Sequence, residues 1–217
     1  MLSVILPVKN EPNLPDFLSR LHGVLRDLGV PYEIIIAMGD REKEWVEPPP
    51  HPNQRVIRTY GDTLERSILG GFSHAKGDKI MVCDADDCHP IEKIPEIFYG
   101  LDEYEMVVGS RYIAGGRSDL GTFRNFISLM FGMWAKLFGS KLTDPMVGFF
   151  GIRRELLDRV QFKPFTWKIP LEIELKSRPT FTSFPSTVMG RTIGESKTSV
   201  KIGLKIAWDI FTYWLWG

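Results

Sequence analysis

The sequence is short of cysteine, of net charge and of long apolar runs, and each shortage closes off a class of protein. Its cysteines are Cys83 and Cys88. Neither their number nor their spacing supports a disulfide framework or a CxxC metal site, so both read as reduced thiols in a cytosol-facing protein. Lys and Arg together number 27, and so do Asp and Glu. A nucleic-acid binder shows a basic excess, so no nucleic-acid partner is expected. No run reaches the roughly 20 apolar residues of a spanning helix. The nearest approach, Ile202 to Trp216, is shorter and carries Lys205 and Asp209. The opening Leu2-Ser3-Val4-Ile5-Leu6 has no basic leader and no small-residue cleavage site, so no signal peptide is expected.

What is present is a globular composition. With 43% hydrophobic and 25% charged residues over 217 positions, the chain can bury one sizeable core. Leu2 to Pro7 is an apolar run ending at a proline and a polar loop, which predicts a buried parallel strand. Phe17, Leu18, Leu21, Val24, Leu25 and Leu28 recur at helical spacing and are followed by Gly29. Further strands are predicted at Glu33 to Met38, Val56 to Tyr60, Lys79 to Cys83, Glu105 to Val108, Met146 to Ile152 and Thr180 to Val188. Helices are predicted at Asp62 to Ala75, Pro90 to Leu101, Phe123 to Phe138 and Arg154 to Val160, with a final one from about Val200. The proline-dense stretch Arg41 to Asn53 reads as a surface excursion, and Arg111 to Gly121 as a loop. Strands alternating with helices predict an α/β fold: a Rossmann-like, mostly parallel sheet flanked by helices.

In such sheets ligands bind beyond the carboxyl ends of the strands. Two acidic groups fall there: Asn10-Glu11 after the first strand, and Asp84-Ala85-Asp86 with Asp87 after the fourth. A nucleoside diphosphate is repelled by two carboxylates unless a divalent cation lies between them. Mg²⁺ or Mn²⁺ takes oxygen ligands and bridges the two. An Asp-x-Asp elsewhere in a chain is usually a solvated turn, but its place directly after an apolar strand favours the cation. Arg111 in Gly-Ser-Arg-Tyr, Arg124 after a glycine-rich loop, and Arg191 near Lys197 offer donors for phosphate. Any one alone would read as a surface arginine. Their neighbouring glycines let a ligand approach the backbone. His74, Cys83, Cys88 and His89 fit no zinc spacing. Trp134, Trp167 and the phenylalanines of 123–150 read as core.

These residues resemble family 2 glycosyltransferases of GT-A type, and among them the dolichyl-phosphate mannose synthases. Val4-Ile5-Leu6-Pro7-Val8-Lys9-Asn10-Glu11 is similar to the family's opening strand followed by Pro-x-Tyr-Asn-Glu. Asp84-Ala85-Asp86-Asp87-Cys88-His89-Pro90 is similar to Asp-Ala-Asp-x-Gln-His-Pro. Gly109-Ser110-Arg111-Tyr112 with Gly115-Gly116, then Arg124 with Ser128, Asp144 with Gly148-Phe149, and Arg191 with Gly194-Glu195-Ser196-Lys197 match later blocks in order. The resemblance implies that Pro7, Lys9, Asn10, Glu11 and Asp40 hold the nucleotide. It implies that Asp84, Ala85 and Asp86 bind diphosphate and metal, with Cys88 standing where a Gln ligates it. Arg111, Arg191 and Lys197 would hold the donor diphosphate, and Arg111, Arg124 and Ser128 the acceptor phosphate. Lys9 in place of Tyr, Val147 in place of Ser and the lone Asp40 after the second strand are further departures.

The implied reaction is an inverting transfer of one sugar, mannose from GDP-mannose, to a dolichyl or polyprenyl phosphate. A phosphate monoester has a second pKa near ~6 and is largely a dianion at neutral pH, so it needs no strong base. A sugar hydroxyl would need a carboxylate, and Asp144 is the candidate. The alternatives are transfer of a UDP-sugar to a hydroxyl, or an idle nucleotide-binding subunit. Residues 1–200 are expected to form the GT-A domain. Residues 201–217, with Trp208, Phe211, Tyr213, Trp214 and Trp216, are expected to form an interfacial amphipathic helix. The expected setting is peripheral, at the cytosolic face of a membrane, with room for a membrane-anchoring partner subunit.

Overall fold

The computed structural model describes residues 1–9, 11–40, 47–61, 63–162, 168–188, 208 and 211–212. In chain order its elements are β1 (Leu2–Val8), α1 (Leu14–Asp27), β2 (Tyr32–Gly39), β3 (Gln54–Thr59), α2 (Leu64–His74) and β4 (Lys79–Val82). A short 3₁₀ turn (Ile91–Lys93) leads into α3 (Ile94–Glu103). Then come β5 (Met106–Ser110), β6 (Arg117–Ser118), α4 (Thr122–Leu137), β7 (Phe150–Arg153), α5 (Glu155–Asp158), α6 (Ile169–Ser177), β8 (Phe181–Pro185) and β9 (Thr187–Val188).

Seven strands form one sheet in the order β3-β2-β1-β4-β7-β5-β8. Pairing is parallel except at β7, which runs antiparallel to β4 and β5. Strands β6 and β9 make a separate parallel pair. Every residue of β1 is buried, and all but the first of β2, because helices cover both faces of the sheet. A strand in that position needs a continuous apolar run, which is what the sequence supplies. Helix α1 buries Leu14, Phe17, Leu18, Leu21 and Leu25, the stripe its spacing predicted, and Gly29 ends it at φ +71°. Proline in the first turn opens α1, α3 and α6. Helix α2 lies so close to β1 that a side chain on Gly71 would meet Ile5 Cγ2 at 2.4 Å.

Four expectations are corrected. Helix α6 was not foreseen, because it is buried on all sides, Glu172 and Glu174 included, and so shows no amphipathic period. Residues 146–149 are loop, and the strand begins only at Phe150. The loop after β5 contains β6. Of the aromatic residues expected in the core, Phe149 and Phe150 are buried there and Phe131 packs against a small cluster, but Phe123, Phe126 and Trp134 are exposed, and Ala135 alone of α4 is fully buried. Ala135 sits on Leu171 and Leu175 of α6 in a small cluster beside the main core. Trp208, Phe211 and Thr212 are helical, while the rest of the predicted final helix, the division at residue 200 and Trp167 lie outside the described residues.

Candidate active site

The parallel register puts the carboxyl ends of β1 and β4 side by side. Ile5 stands opposite Val82, and Cys83 N donates to Ile5 O at 3.1 Å. The loop carrying Lys9 and Glu11 therefore leaves the sheet next to the loop carrying Asp84 and Asp86. Pro7 is buried in β1, Lys9 is exposed and Glu11 is half-buried. Asp40 follows β2 on the same edge, where its Oδ1 accepts from Gly61 N, in the loop after β3, at 2.9 Å. Asn10 lies outside the described residues.

The acidic loop is a tight turn. Asp86 Oδ1 accepts from the backbone N–H of Cys88 at 3.1 Å, and Asp87 adopts a left-handed conformation at φ +59°. Arg20 of α1 pairs with Asp87. Ala85 is buried, while Asp84 and Asp86 on either side of it in the chain are half-buried. Burial pushes the Cys83 thiol up, and the charges of Asp84, Asp86 and Asp87 push it further. The thiol next to this loop thus stays neutral.

Because β7 is antiparallel, it enters the sheet at this same edge and brings Gly148 and Phe149 with it. His89 is buried and stacks on Phe149 at 5.2 Å and 20°. Its Nε2 lies 3.4 Å from Asp84 Oδ2. A side chain on Gly148 would put its Cβ 3.4 Å from that Asp84 oxygen and 3.6 Å from His89 Nε2. Glycine at 148 keeps the front of Asp84 open.

Strand β5 ends at Ser110 and delivers Arg111 into a buried pair with Asp144. Nε donates to Oδ2 at 2.6 Å, Nη2 to Oδ1 at 2.8 Å and the backbone N–H to Oδ2 at 3.2 Å. Nη2 also donates to Ser128 Oγ of α4 at 2.7 Å. Burial alone would lower the guanidinium pKa, but the hydrogen bonds and charge of Asp144 reverse this, so it is raised. Among the described residues Nη1 makes no hydrogen bond. Asp144 is fully buried and also accepts from Met146 N at 3.3 Å. A carboxylate held this way is not placed to take a proton from a sugar hydroxyl, which corrects the expectation that it could serve as a base. Arg124 is exposed in the first turn of α4, one turn before Ser128. Arg191 and Lys197 lie outside the described residues.

One residue escaped the sequence reading. Lys168 precedes α6, and its Nζ donates to Met146 O at 2.8 Å. Part of its stem is exposed, but its amine is enclosed, and it feels the charges of Arg111, Asp144 and Asp84. Burial lowers its pKa, Arg111 lowers it further, and the two carboxylates resist. Its amine is within electrostatic reach of both the carboxylates and Arg111. No glycine or motif marks it in the sequence.

Among the described residues no three His, Cys, Asp or Glu side chains surround one point. The oxygens of Asp84 and Asp86 suit a hard cation that completes its shell from phosphate and water. The thiol of Cys88 suits it poorly, and the loop uses this residue through its backbone instead.

Glycosyl transferase family 2 matches residues 3–161. The chain is 32% identical over 227 residues to a dolichol-phosphate mannosyltransferase of Pyrococcus furiosus, covering 99% of this chain and 64% of that one. It is 31% identical over 219 residues to the dolichol-phosphate mannosyltransferase of Saccharomyces cerevisiae, covering 92% of this chain and 82% of that one. The chain thus spans just under two thirds of the length of the Pyrococcus relative. A crystal structure of glucosyl-3-phosphoglycerate synthase from Mycobacterium tuberculosis, in complex with Mn²⁺, UDP-glucose and phosphoglyceric acid, shares the fold. The TM-score is 0.69 at 15% identity, over 99% of this chain and 78% of that one. From its first strand through the Asp-x-Asp turn to β7, the chain belongs to glycosyl transferase family 2.

Proposed function

We propose that this protein transfers one sugar from a nucleotide sugar to a polyprenyl phosphate, with inversion at the anomeric carbon, and that the donor is GDP-mannose. The observation that carries the reading is the placement of Asp84 and Arg111 at one edge of the sheet, with Lys168 close enough to feel both. The sequence likeness to two dolichol-phosphate mannosyltransferases supports the choice of donor and acceptor.

In this reading Pro7, Lys9, Asn10, Glu11 and Asp40 receive the nucleotide. Asp84 and Asp86 hold a divalent cation, Mg²⁺ or Mn²⁺, and Ala85 lines the diphosphate. Mn²⁺ accompanies UDP-glucose in the Mycobacterium enzyme of the same fold. When bound, such a cation neutralises the leaving diphosphate. Arg111 through Nη1, Arg191, Lys197 and Lys168 add positive charge around the phosphates. Arg124 and Ser128 face the acceptor phosphate. That phosphate is already a dianion, so an oxygen lone pair attacks the anomeric carbon as the bond to the nucleoside diphosphate breaks. No base is required, in keeping with an Asp144 locked to Arg111. The protein then works peripherally at the cytosolic face of a membrane, alone or with a membrane-anchoring partner subunit.

The test is transfer by the purified full-length chain with Mn²⁺ or Mg²⁺, offering GDP-mannose or UDP-glucose and either a short polyprenyl phosphate or a sugar acceptor. Mannosyl phospholipid is the expected product. Transfer to the sugar hydroxyl alone would overturn the acceptor. Absence of nucleotide release with every pair would leave an idle binding subunit.

A further inference from the structure

The proline-dense segment ahead of β3 takes no part in the site described above. Residues 47–53 contain Pro48, Pro49, Pro50 and Pro52. Proline has no N–H to give to a ladder, so side chains must hold such a segment to the fold. Two histidines do so. His51, within the segment, faces His22 of α1 with ring centroids 3.7 Å apart and a tilt of 30°. His22 Nδ1 lies 3.0 Å from the Tyr32 hydroxyl, and its Nε2 lies 2.9 Å from Gln54 Oε1. The Gln54 amide N–H donates in turn to Pro49 O. Helix, two strands and segment thus meet at one half-buried imidazole.

These contacts assign the protons. Gln54 gives its N–H to Pro49, so the end that meets His22 is its oxygen, which can only accept. Nε2 of His22 therefore carries the proton, and Nδ1 accepts from Tyr32. The neutral ring is satisfied at both nitrogens. His51 Nδ1 accepts from the backbone N–H of Asn53 at 3.1 Å, so that nitrogen is bare as well. A further proton meets no carboxylate in this group of residues. Tyr32 from β2 and Gln54 from β3 offer a hydroxyl and an amide. Burial lowers the pKa of His22, the Gln54 hydrogen bond opposes this, and the positive charges of His51 and of Arg26, one turn on in α1, lower it further. Glu33 and Arg55, the next residues of β2 and β3, pair with each other at 2.9 Å on the opposite face of the sheet. Glu47, at the start of the segment, is exposed.

We propose that His22 and His51 form a proton-operated latch, which fastens residues 47–53 to α1 while both rings are neutral and releases them when the rings take up protons. Two imidazolium rings at this separation repel, and a proton on His51 Nδ1 removes the acceptor of the Asn53 N–H. The ladder between β2 and β3 begins with Ile34 opposite Gln54, so release frees the chain ahead of β3 and leaves the sheet paired. The latch stands at the amino ends of β2 and β3, the opposite end of the strands from Asp84, and is independent of the reaction proposed above. Between the lowered value of His22 and the ordinary histidine value of about 6.5, the released form binds more protons than the latched one. The latch therefore tightens as pH rises through that window, and below the window its loss is complete.

The test is NMR of the full chain, stepped from about pH 7.5 to about pH 5, a range that brackets the ordinary histidine value. The His22 ring should titrate below about 6.5. In His51→Phe, which keeps an aromatic ring against it and removes a charge, its midpoint should move up. Backbone amide exchange, corrected for its own pH dependence, reads the latch itself. The amides of Gln54 and Ile34 donate to His51 O at 3.1 Å and Asn53 O at 2.8 Å, and both should lose protection toward acid. Cys83, bonded to Ile5 O in the middle of the sheet, should keep its own. In His22→Gln the acid loss at Gln54 and Ile34 should shrink. A His22 ring that titrates at or above the ordinary value would overturn the proposal, as would protection of Gln54 and Ile34 that is equal across the range. An unmoved midpoint in His51→Phe would uncouple the two rings. An undiminished acid loss in His22→Gln would hand the proton to another group, and either result removes the latch.

Discussion

Arg111 and Asp144 are joined by three hydrogen bonds, two from the guanidinium fork and one from the arginine's own backbone. Both side chains are buried, so neither charge has water to fall back on. This pair fixes the loop after β5 to the loop before β7 and aims what remains of the guanidinium at the site. Replacing Asp144 with Asn removes the counter-charge and keeps the shape. Breaking a buried pair on one side costs about 3–5 kcal/mol, and urea unfolding should show a loss of that size. The double variant Arg111→Met, Asp144→Leu should recover most of the stability and none of the transfer. Recovery of transfer in that double variant would show the pair to be structural only.

Asp86 tests the cation directly. Its carboxylate accepts from the Cys88 backbone N–H at 3.1 Å, and the residue is half-buried in a turn outside the core, so Asp86→Ala should fold. A bound cation contributes several kcal/mol to charge stabilisation, and each 1.4 kcal/mol is tenfold in rate. Transfer should therefore fall by about a thousandfold or more. Near-normal turnover of Asp86→Ala would remove the metal role from the Asp-x-Asp turn.

His89 is expected to position Asp84. It is buried, stacked on Phe149, with Nε2 3.4 Å from Asp84 Oδ2. Outer partners of this kind are worth about 10–100-fold in metal affinity. His89→Leu should weaken Mn²⁺ binding by that factor, read by electron spin resonance in the presence of a nucleoside diphosphate. His89→Gln, which keeps a donor, should recover part of it. Equal Mn²⁺ affinity in wild type and His89→Leu would reduce the imidazole to a packing group.

The parts of the fold legible in the sequence were those where burial writes a pattern. Leu2 to Val8 and Tyr32 to Gly39 are sheathed on both faces and read as unbroken apolar runs, and α1 shows its buried stripe at helical spacing. The Asp-x-Asp turn was legible because it directly follows such a run. What misled was chemistry that composition cannot separate. An apolar helix turned outward, α4, has the same letters as one turned inward. In α6, Leu171-Glu172-Ile173-Glu174-Leu175 alternates like a strand, because its glutamates are buried beside Lys176 and the Lys141 backbone N–H. Asp144 and Arg111 were each noticed, but 33 positions separate them and only the fold reveals the pair. Lys168 stands alone between Trp167 and Ile169 and becomes a site residue only through tertiary contact.

Lys168 gives the site a pH signature. Burial, then the charge of Arg111, hold its amine below the ordinary lysine value of about 10.4, against the pull of Asp144 and Asp84. Between the lowered folded value and the ordinary one, the unfolded chain binds more protons than the native protein. Stability should therefore rise with pH through that alkaline window, and below it the cost of the charged amine is constant. Lys168→Met removes this dependence, so its unfolding free energy should be flatter across the same window. At neutral pH the variant gains what the buried charge cost and loses the charge-assisted hydrogen bond to Met146 O, worth about 1.5–3 kcal/mol. A nucleoside diphosphate bound near the amine favours its charged form. Binding in the alkaline window should then take up a proton in the wild type and less in Lys168→Met. Calorimetry in buffers of different ionisation enthalpy reads that difference directly, and equal uptake in the two proteins would place Lys168 outside the phosphate site.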